Sequence, residues 1–231
     1  GLVGSEMCIR DRDIEAARKK YFSMPEDDSN WTWNVAWWSD PVLLGKYPEE
    51  GLKKYEKYLP KITEEDMRLI SEPIDVYGQN IYNGRAFRMG ADGNPEEVGR
   101  VPGAGKTAVN WPVTPECLYW GPKFLYERYK KPIYITENGM ACHDVVSLDQ
   151  RVHDPNRIDF LARYLHELKR AAEEIDLRGY FQWSLMDNFE WEKGYAERFG
   201  IVYVDFETQE RILKDSAYWY RDVIQTNGRD L

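Results

Sequence analysis

No stretch of this 231-residue chain approaches the ~18 consecutive apolar residues that a membrane-spanning helix needs, so no membrane partner is expected. Histidine is scarce: His143, His153 and His166 lack the i, i+4 spacing around a Glu that a zinc hydrolase uses, and neither a metal nor another cofactor is expected. Cysteine is scarce as well. Cys8, Cys117 and Cys142 show neither CxxC spacing nor the density of a disulfide scaffold, and an odd count leaves one unpaired, which favours a reducing, cytoplasmic setting. Basic side chains are outnumbered, 31 Lys and Arg against 40 Asp and Glu, for a formal charge of −9. With no Lys/Arg cluster to offset this, most of the surface repels a phosphate backbone, and nucleic acid is not expected as a partner.

What the chain does contain is globular in character. A hydrophobic share of 42% with 31% charged residues excludes disordered and collagenous classes, and a chain this long buries roughly 70% of its unfolded surface as one large domain or two small ones. Aromatic content is high, with 9 Trp and 16 Tyr. Flat amphipathic rings serve for stacking on sugars, and equally for filling a core.

Residues 1–12, GLVGSEMCIRDR, have no helical or strand period and no signal-peptide pattern; they are read as a non-native segment left by cloning or assembly, and the domain is expected over 13–231. DIEAARKKYF predicts a short helix. The Trp-rich stretch from Trp31 to Trp38, ending in SDPVLLGKYPEE with its Pro and Gly breakers, predicts a packed loop. Thr63 with Asp66 resembles a capping box opening a helix at ITEEDMRLI, after which IDVYGQNIY has strand character from Ile74. Residues 84–107 carry Gly-rich turns and predict a hairpin or loop excursion. Thr114 and Pro115 offer an N-cap and first turn for a helix to about Tyr129, and PIYIT is a short apolar strand.

Asp154-Pro155 opens a further helix in which Ile158, Leu161, Leu165, Leu168, Ala172 and Ile175 recur at steps of three and four, an apolar stripe for packing on a sheet. RGYFQWSL is the next strand, followed by a polar-aromatic loop, a strand FGIVYVDF and a last helix around Lys214 to Ile224. Alternating strands and helices imply an α/β fold with a largely parallel sheet, open or closed into a barrel. The clearest strands begin near 74, 133 and 180, and eight units of that spacing need roughly 400 residues, about twice this chain.

Glu137 stands directly after the strand IYIT and before the turn dipeptide Asn138-Gly139, which puts a carboxylate at the C-terminal end of a parallel strand, where barrel enzymes place their chemistry; a solvated loop acid is the plainer alternative. Asn80 and Tyr82, two apart at the end of another strand, face the same way, and a Tyr hydroxyl there is placed to bond a carboxylate. The segment WSLMDNFEWEKGYAERFG gathers Trp183, Glu190, Trp191 and Phe199, acceptors beside flat apolar faces, either to hold a sugar or to seal the end of a barrel.

YITENG, GQNIY, WSLMDNFEW and GYAERFGIVYVDF resemble glycoside hydrolase family 1, and the similarity runs from about Asp13 to Ile224 through SDPVLLGKYP, NWPVTPECLYWGPKFLYERY and KDSAYWY. The resemblance implies a (β/α)8 TIM barrel and β-glucosidase activity with retention at the anomeric carbon. It makes Glu137 the nucleophile, Tyr82 the residue that orients it, and Asn80 a lining residue of the same pocket. It further implies Glu190 as acceptor for hydroxyls at the non-reducing end, Trp183 as platform, Trp191 as a donor, Phe199 as a wall and Trp111 as the aromatic on the leaving-group side. The partners it implies are β-glucosides or short β-linked oligosaccharides.

One half of the family pattern is missing. No Thr-x-Asn-Glu-Pro run supplies the general acid/base, and the early sugar-binding Gln, His and Trp are absent too. The expectation is therefore the C-terminal portion of the barrel, about strands six to eight with their helices, inactive alone, prone to aggregate at its open edges, and needing the N-terminal half as partner. A truncated homologue that binds carbohydrate without cleaving it is the alternative. VPGAGKT resembles a phosphate loop, but the first Gly is out of register by one residue, with Arg100 where it belongs. Asn30-Trp31-Thr32 fits a glycosylation sequon and is read as coincidence.

Overall fold

The computed structural model describes residues 13–25 and 34–231; the segment 1–12, Trp31 and the sequon at Asn30 lie outside the described residues. The first part is helical, with α1 (Ile14–Phe22), α2 (Val35–Leu44), α3 (Glu49–Tyr55) and α4 (Glu64–Ile70). The capping box of α4 is present: the Asp66 N–H donates to Thr63 Oγ1 at 3.1 Å, and the Thr63 N–H donates to Asp66 Oδ2 at 2.9 Å. Two N–H groups that the helix leaves unpaired are thereby satisfied.

The loop expected at SDPVLLG is instead α2, which runs through Pro41. Asn34 caps it by accepting from the Trp37 N–H at 2.7 Å, and Gly45, at φ +69°, ends it in the left-handed region. Proline weakens a helix interior, but tertiary contacts outweigh that here. Asp40, buried on α2, accepts from Arg128 Nε at 2.9 Å and from the Tyr129 hydroxyl at 2.7 Å, and Trp37 packs edge-on against Tyr55 of α3.

The sheet follows. β1 (Tyr77–Asn80) leads into a hairpin, β2 (Ala86–Met89) and β3 (Pro95–Val98), then α5 (Cys117–Tyr129), β4 (Ile133–Asn138), α6 (Pro155–Ala172) and β5 (Leu177–Gln182). The strand order is β1-β4-β5, all parallel, with α5 and α6 as crossovers. Ile133 and Ile135 are fully buried in one cluster with Leu118 and Leu125 of α5 and Leu161 and Leu168 of α6. The opposite face holds Tyr134, whose ring fills the space above Gly179, where a Cβ would come within 2.6 Å. Phe181 is 58% exposed there, and the outer edges of β1 and β5 carry no partner strand among the described residues.

Local departures have local causes. α5 starts at Cys117 rather than Pro115, because Thr114 is engaged elsewhere: its hydroxyl accepts from the Gly84 N–H at 2.8 Å and its N–H donates to the Tyr164 hydroxyl at 2.8 Å. On α6, Ala171 rather than Ala172 is buried, and Phe160 and Tyr164, stacked at 3.8 Å, widen the buried face beyond one row. FGIVYVDF contributes only β6 (Val202–Val204), paired antiparallel with β7 (Arg211–Leu213) outside the parallel sheet, before α7 (Asp215–Thr226). VPGAGKT lies in turns, with Lys106 bridged to Pro112, and no helix follows it until α5.

A buried ionic network ties the loops after β4 and β5 to α6 and α7. Lys214, with no exposed surface, donates to Asp144 at 2.6 Å and to Asp187 at 2.8 Å. Arg157, equally buried, donates to Asp144 at 2.7 Å and also pairs with Asp154, which accepts from the Ser216 N–H at 2.8 Å. Arg198 donates to Asp187 at 2.6 Å. Burial pushes the Asp144 carboxyl up, but the Arg157 guanidinium and the Lys214 ammonium outweigh it and hold the group below the ordinary Asp value.

Candidate active site

The site is assembled where the three parallel strands end. β4 runs one turn of pleat further than IYIT suggests, so Glu137 lies within it, half-buried, and Asn138 is its last residue. Asn138 is a buried tie rather than the first residue of a turn. Its Nδ2 donates to the Ile81 carbonyl at 2.8 Å, its Oδ1 accepts from the Tyr180 hydroxyl at 2.9 Å, and its carbonyl accepts from the Trp183 N–H at 2.8 Å. One side chain thus locks the ends of all three strands around Glu137. Gly139 is required next to it, since a Cβ would fall 1.9 Å from the Trp183 carbonyl oxygen.

Tyr82, 6% exposed, donates its hydroxyl proton to Glu137 Oε2 at 2.7 Å. Burial raises the Tyr82 hydroxyl far above its ordinary value, and the bond to Glu137 adds to this, so the group stays a donor. Asn80 is placed opposite Glu137 in the strand register, but its Oδ1 accepts from the Thr136 hydroxyl at 2.6 Å and does not reach the carboxylate. Phe199 and Trp111 stand against Tyr82, with ring centroids 6.3 Å and 5.1 Å away, and Trp183 packs on the same group.

Glu190 is half-buried at the end of the loop after β5. The Trp183 side chain donates to it; burial, together with the charges of Glu137 and Glu197, raises its carboxyl above the ordinary Glu value despite that bond. Trp191, next in sequence, is 80% exposed and stands outside the ring cluster. The structure therefore brings together Glu137, Tyr82, Trp111, Trp183, Glu190 and Phe199, sets Asn80 beside Glu137 in register with its side chain bonded to Thr136, and leaves Trp191 exposed.

Two residues at this site have no role in the motif reading. Asn138 looks like half of a turn dipeptide in sequence, and only its complete burial reveals the tie. Glu197 sits in GYAERFG, with no signal beyond its charge. A cavity of about 310 Å³, lined in part by Met186, Asp187, Tyr195 and Phe206, lies against the same loop, and neither Glu137 nor Tyr82 lines it. Among the described residues no His, Cys, Asp and Glu group is arranged to hold a metal ion. The chemistry on offer is that of a carboxylate held in one orientation by a tyrosine hydroxyl beside aromatic faces.

The family model described as Glycosyl hydrolase family 1 matches residues 15–229. The chain is 48% identical over 192 residues to Beta-glucosidase A of Thermotoga maritima, covering 82% of this chain and 43% of that protein. It is 44% identical over 223 residues to 1,4-beta-D-glucan glucohydrolase of Thermotoga neapolitana, covering 95% of this chain and 48% of that one. Among solved structures it resembles the β-glucosidase from Thermotoga maritima in complex with glucoimidazole, with a TM-score of 0.80 and 42% identity over 97% of this chain and 50% of that one. The three strands with their helices are accordingly part of a (β/α)8 barrel. The chain spans about half the length of the curated relatives it matches.

Proposed function

Because the chain belongs to glycosyl hydrolase family 1, we propose that it carries the nucleophile half of a retaining β-glucosidase site acting on β-glucosides or short β-linked oligosaccharides. The observation that carries this is the 2.7 Å bond from Tyr82 to Glu137 at the C-terminal ends of parallel strands, beside Trp111 and Phe199. Glu137 attacks the anomeric carbon as the leaving oxygen departs, forming a glycosyl-enzyme ester that water then hydrolyses with retention. Tyr82 holds the attacking carboxylate in line. Trp183 and Phe199 offer apolar faces to the ring, and Glu190 accepts from hydroxyls at the non-reducing end.

Retention needs a second carboxyl about 5–5.5 Å from the first to protonate the leaving oxygen, and no Thr-x-Asn-Glu-Pro run occurs in the 231 residues. That group, and strands for the outer edges of β1 and β5, come in this reading from a remaining half of the barrel. A cytoplasmic setting belongs to the same proposal. The missing acid/base motif also favours a second reading, a sugar-binding homologue without turnover.

The test joins the chain to the half of the T. maritima β-glucosidase A that it does not match. The completed protein is expected to hydrolyse 4-nitrophenyl β-glucoside, and Glu137→Gln to abolish turnover while leaving methyl β-glucoside bound. Retained turnover in Glu137→Gln removes the nucleophile assignment. Turnover of cellobiose by the chain alone removes the need for the other half.

A further inference from the structure

Strict alternation along β4 would turn Glu137 the wrong way. Ile133 and Ile135 face the helices, and residues two apart on a strand share a side, so Glu137 would follow them beneath α5 and α6. It does not, because β4 carries one residue more than either neighbour. As β1 advances from Gln79 to Asn80, the partners on β4 advance from Ile135 to Glu137. As β5 advances from Tyr180 to Gln182, they advance from Ile135 to Asn138. Bulges are rare in parallel pairs, and one added residue exchanges the two sides of everything beyond it. Asn138, with no exposed surface, therefore takes the side of Ile133 and Ile135, where Tyr180 packs on the same cluster and bonds to it. Glu137 is left on the other side to meet Tyr82.

A bulge interrupts the ladder, so the register beyond it needs another hold. The Ile81 N–H donates to the Glu137 carbonyl at 3.0 Å, and the Ile81 carbonyl accepts from Asn138 Nδ2 at 2.8 Å. Ile81 and Asn138 are the chain neighbours of Tyr82 and Glu137. This pair of bonds thus fixes the two backbones from which the tyrosine and the carboxylate reach each other. On the β5 side, Asn138 Oδ1 accepts from the Tyr180 hydroxyl at 2.9 Å and the Asn138 carbonyl from the Trp183 N–H at 2.8 Å. We propose that Asn138 is a positioning residue for Glu137, its amide locking the bulge of β4 that turns the carboxylate out of the helix-packed face and onto Tyr82. It acts through Ile81 and Tyr180 rather than on the carboxylate itself. The kinetic side of the inference rests on the reading of Glu137 as nucleophile given above.

The experiment uses the completed protein. Asn138→Ala is expected to lower kcat on 4-nitrophenyl β-glucoside about 100-fold, the scale of a misplacement of about 1 Å, while methyl β-glucoside binds within about threefold of its affinity for the unmodified protein. Tyr180→Phe keeps the ring and removes one tie, and is expected to lower kcat about fivefold. A merely structural role leaves the cost of Tyr82→Phe unchanged. Here Asn138→Ala has already parted Tyr82 from Glu137, so adding Tyr82→Phe is expected to cost about threefold or less. Additive losses overturn the proposal, as does a kcat for Asn138→Ala within about threefold of the unmodified protein. If Asn138→Ala does not fold, Tyr180→Phe and its combination with Tyr82→Phe decide in its place. A crystal structure of the folded variant gives a readout without turnover: the Tyr82 hydroxyl and the Glu137 carboxylate are expected to stand more than about 3.5 Å apart. An intact bond there defeats the Asn138 assignment alone. A parted pair in a protein whose Glu137→Gln variant retains turnover supports that assignment while defeating the nucleophile reading.

Discussion

Replacing Lys214 by Met tests whether the buried ionic network is what holds the two site-bearing loops together. Met nearly matches the length of the Lys stem, so the change removes charge and donors more than packing. The ammonium bridges Asp144, seven residues past Glu137, and Asp187, three before Glu190, and none of the three side chains is more than 2% exposed. Removing one partner of a buried pair costs about 3–5 kcal/mol. Each aspartate keeps one guanidinium, Arg157 at 2.7 Å and Arg198 at 2.6 Å, which places the expected loss near the lower end, about 3 kcal/mol. The internal control is Arg163→Ala. Its pair with Asp159 is as short, 2.7 Å, but the side chains are 62% and 61% exposed, and the expected cost is about 1 kcal/mol or less. Urea unfolding of the completed protein, followed by tryptophan fluorescence, reads both. A Lys214→Met loss no larger than that of Arg163→Ala refutes the reasoning, since burial would then not be what separates the two pairs.

Two further outcomes are expected. Tyr82→Phe removes a hydrogen bond to an ionised acceptor, worth about 1.5–3 kcal/mol, so kcat/KM of the completed protein on an aryl glucoside should fall roughly 10- to 100-fold; a fall under about threefold shows that Glu137 needs no such partner. His153, whose ring bonds to Asp215 at 2.6 Å and Asp149 at 3.0 Å, is raised above its ordinary value by those two carboxylates. A raised folded value makes its contribution complete below the ordinary His range, about 6.5, and lost as pH climbs through the raised value. Melting temperatures from pH 5.5 to 8.5 should therefore slope downward more steeply in the unmodified protein than in His153→Asn, and parallel slopes dispose of the linkage.

The sequence made legible whatever is encoded between near neighbours. The α4 cap depends on Thr63 and Asp66, three apart, and the strand β4 on the apolar Ile133 and Ile135 alternating with Tyr134. α2 reads as a loop in the sequence because its decisive contacts are remote: Pro41 argues against a helix locally, while Asp40 binds Arg128 and Tyr129 from far along the chain. The same distance hides the ionic network, since Lys214 meets Asp144 across 70 positions and Asp187 across 27. Glu137 and Tyr82 are legible through their motifs although 55 positions separate them, whereas Glu197 carries no sequence signal beyond its charge.

The order β1-β4-β5 has a kinetic consequence. β4 and β5 are joined through α6 alone, and β1 and β4 through the β2–β3 hairpin and α5, so within these residues each closure is between neighbours in the sheet order. Joining the outer edge of β1 to the outer edge of β5 through intervening strands is a closure of another kind, between the most distant parts of a barrel. On contact-order grounds the slow step of assembly is expected at those two edges rather than at Glu137. On that argument the strand that carries Glu137 is expected to be set before the barrel closes around it.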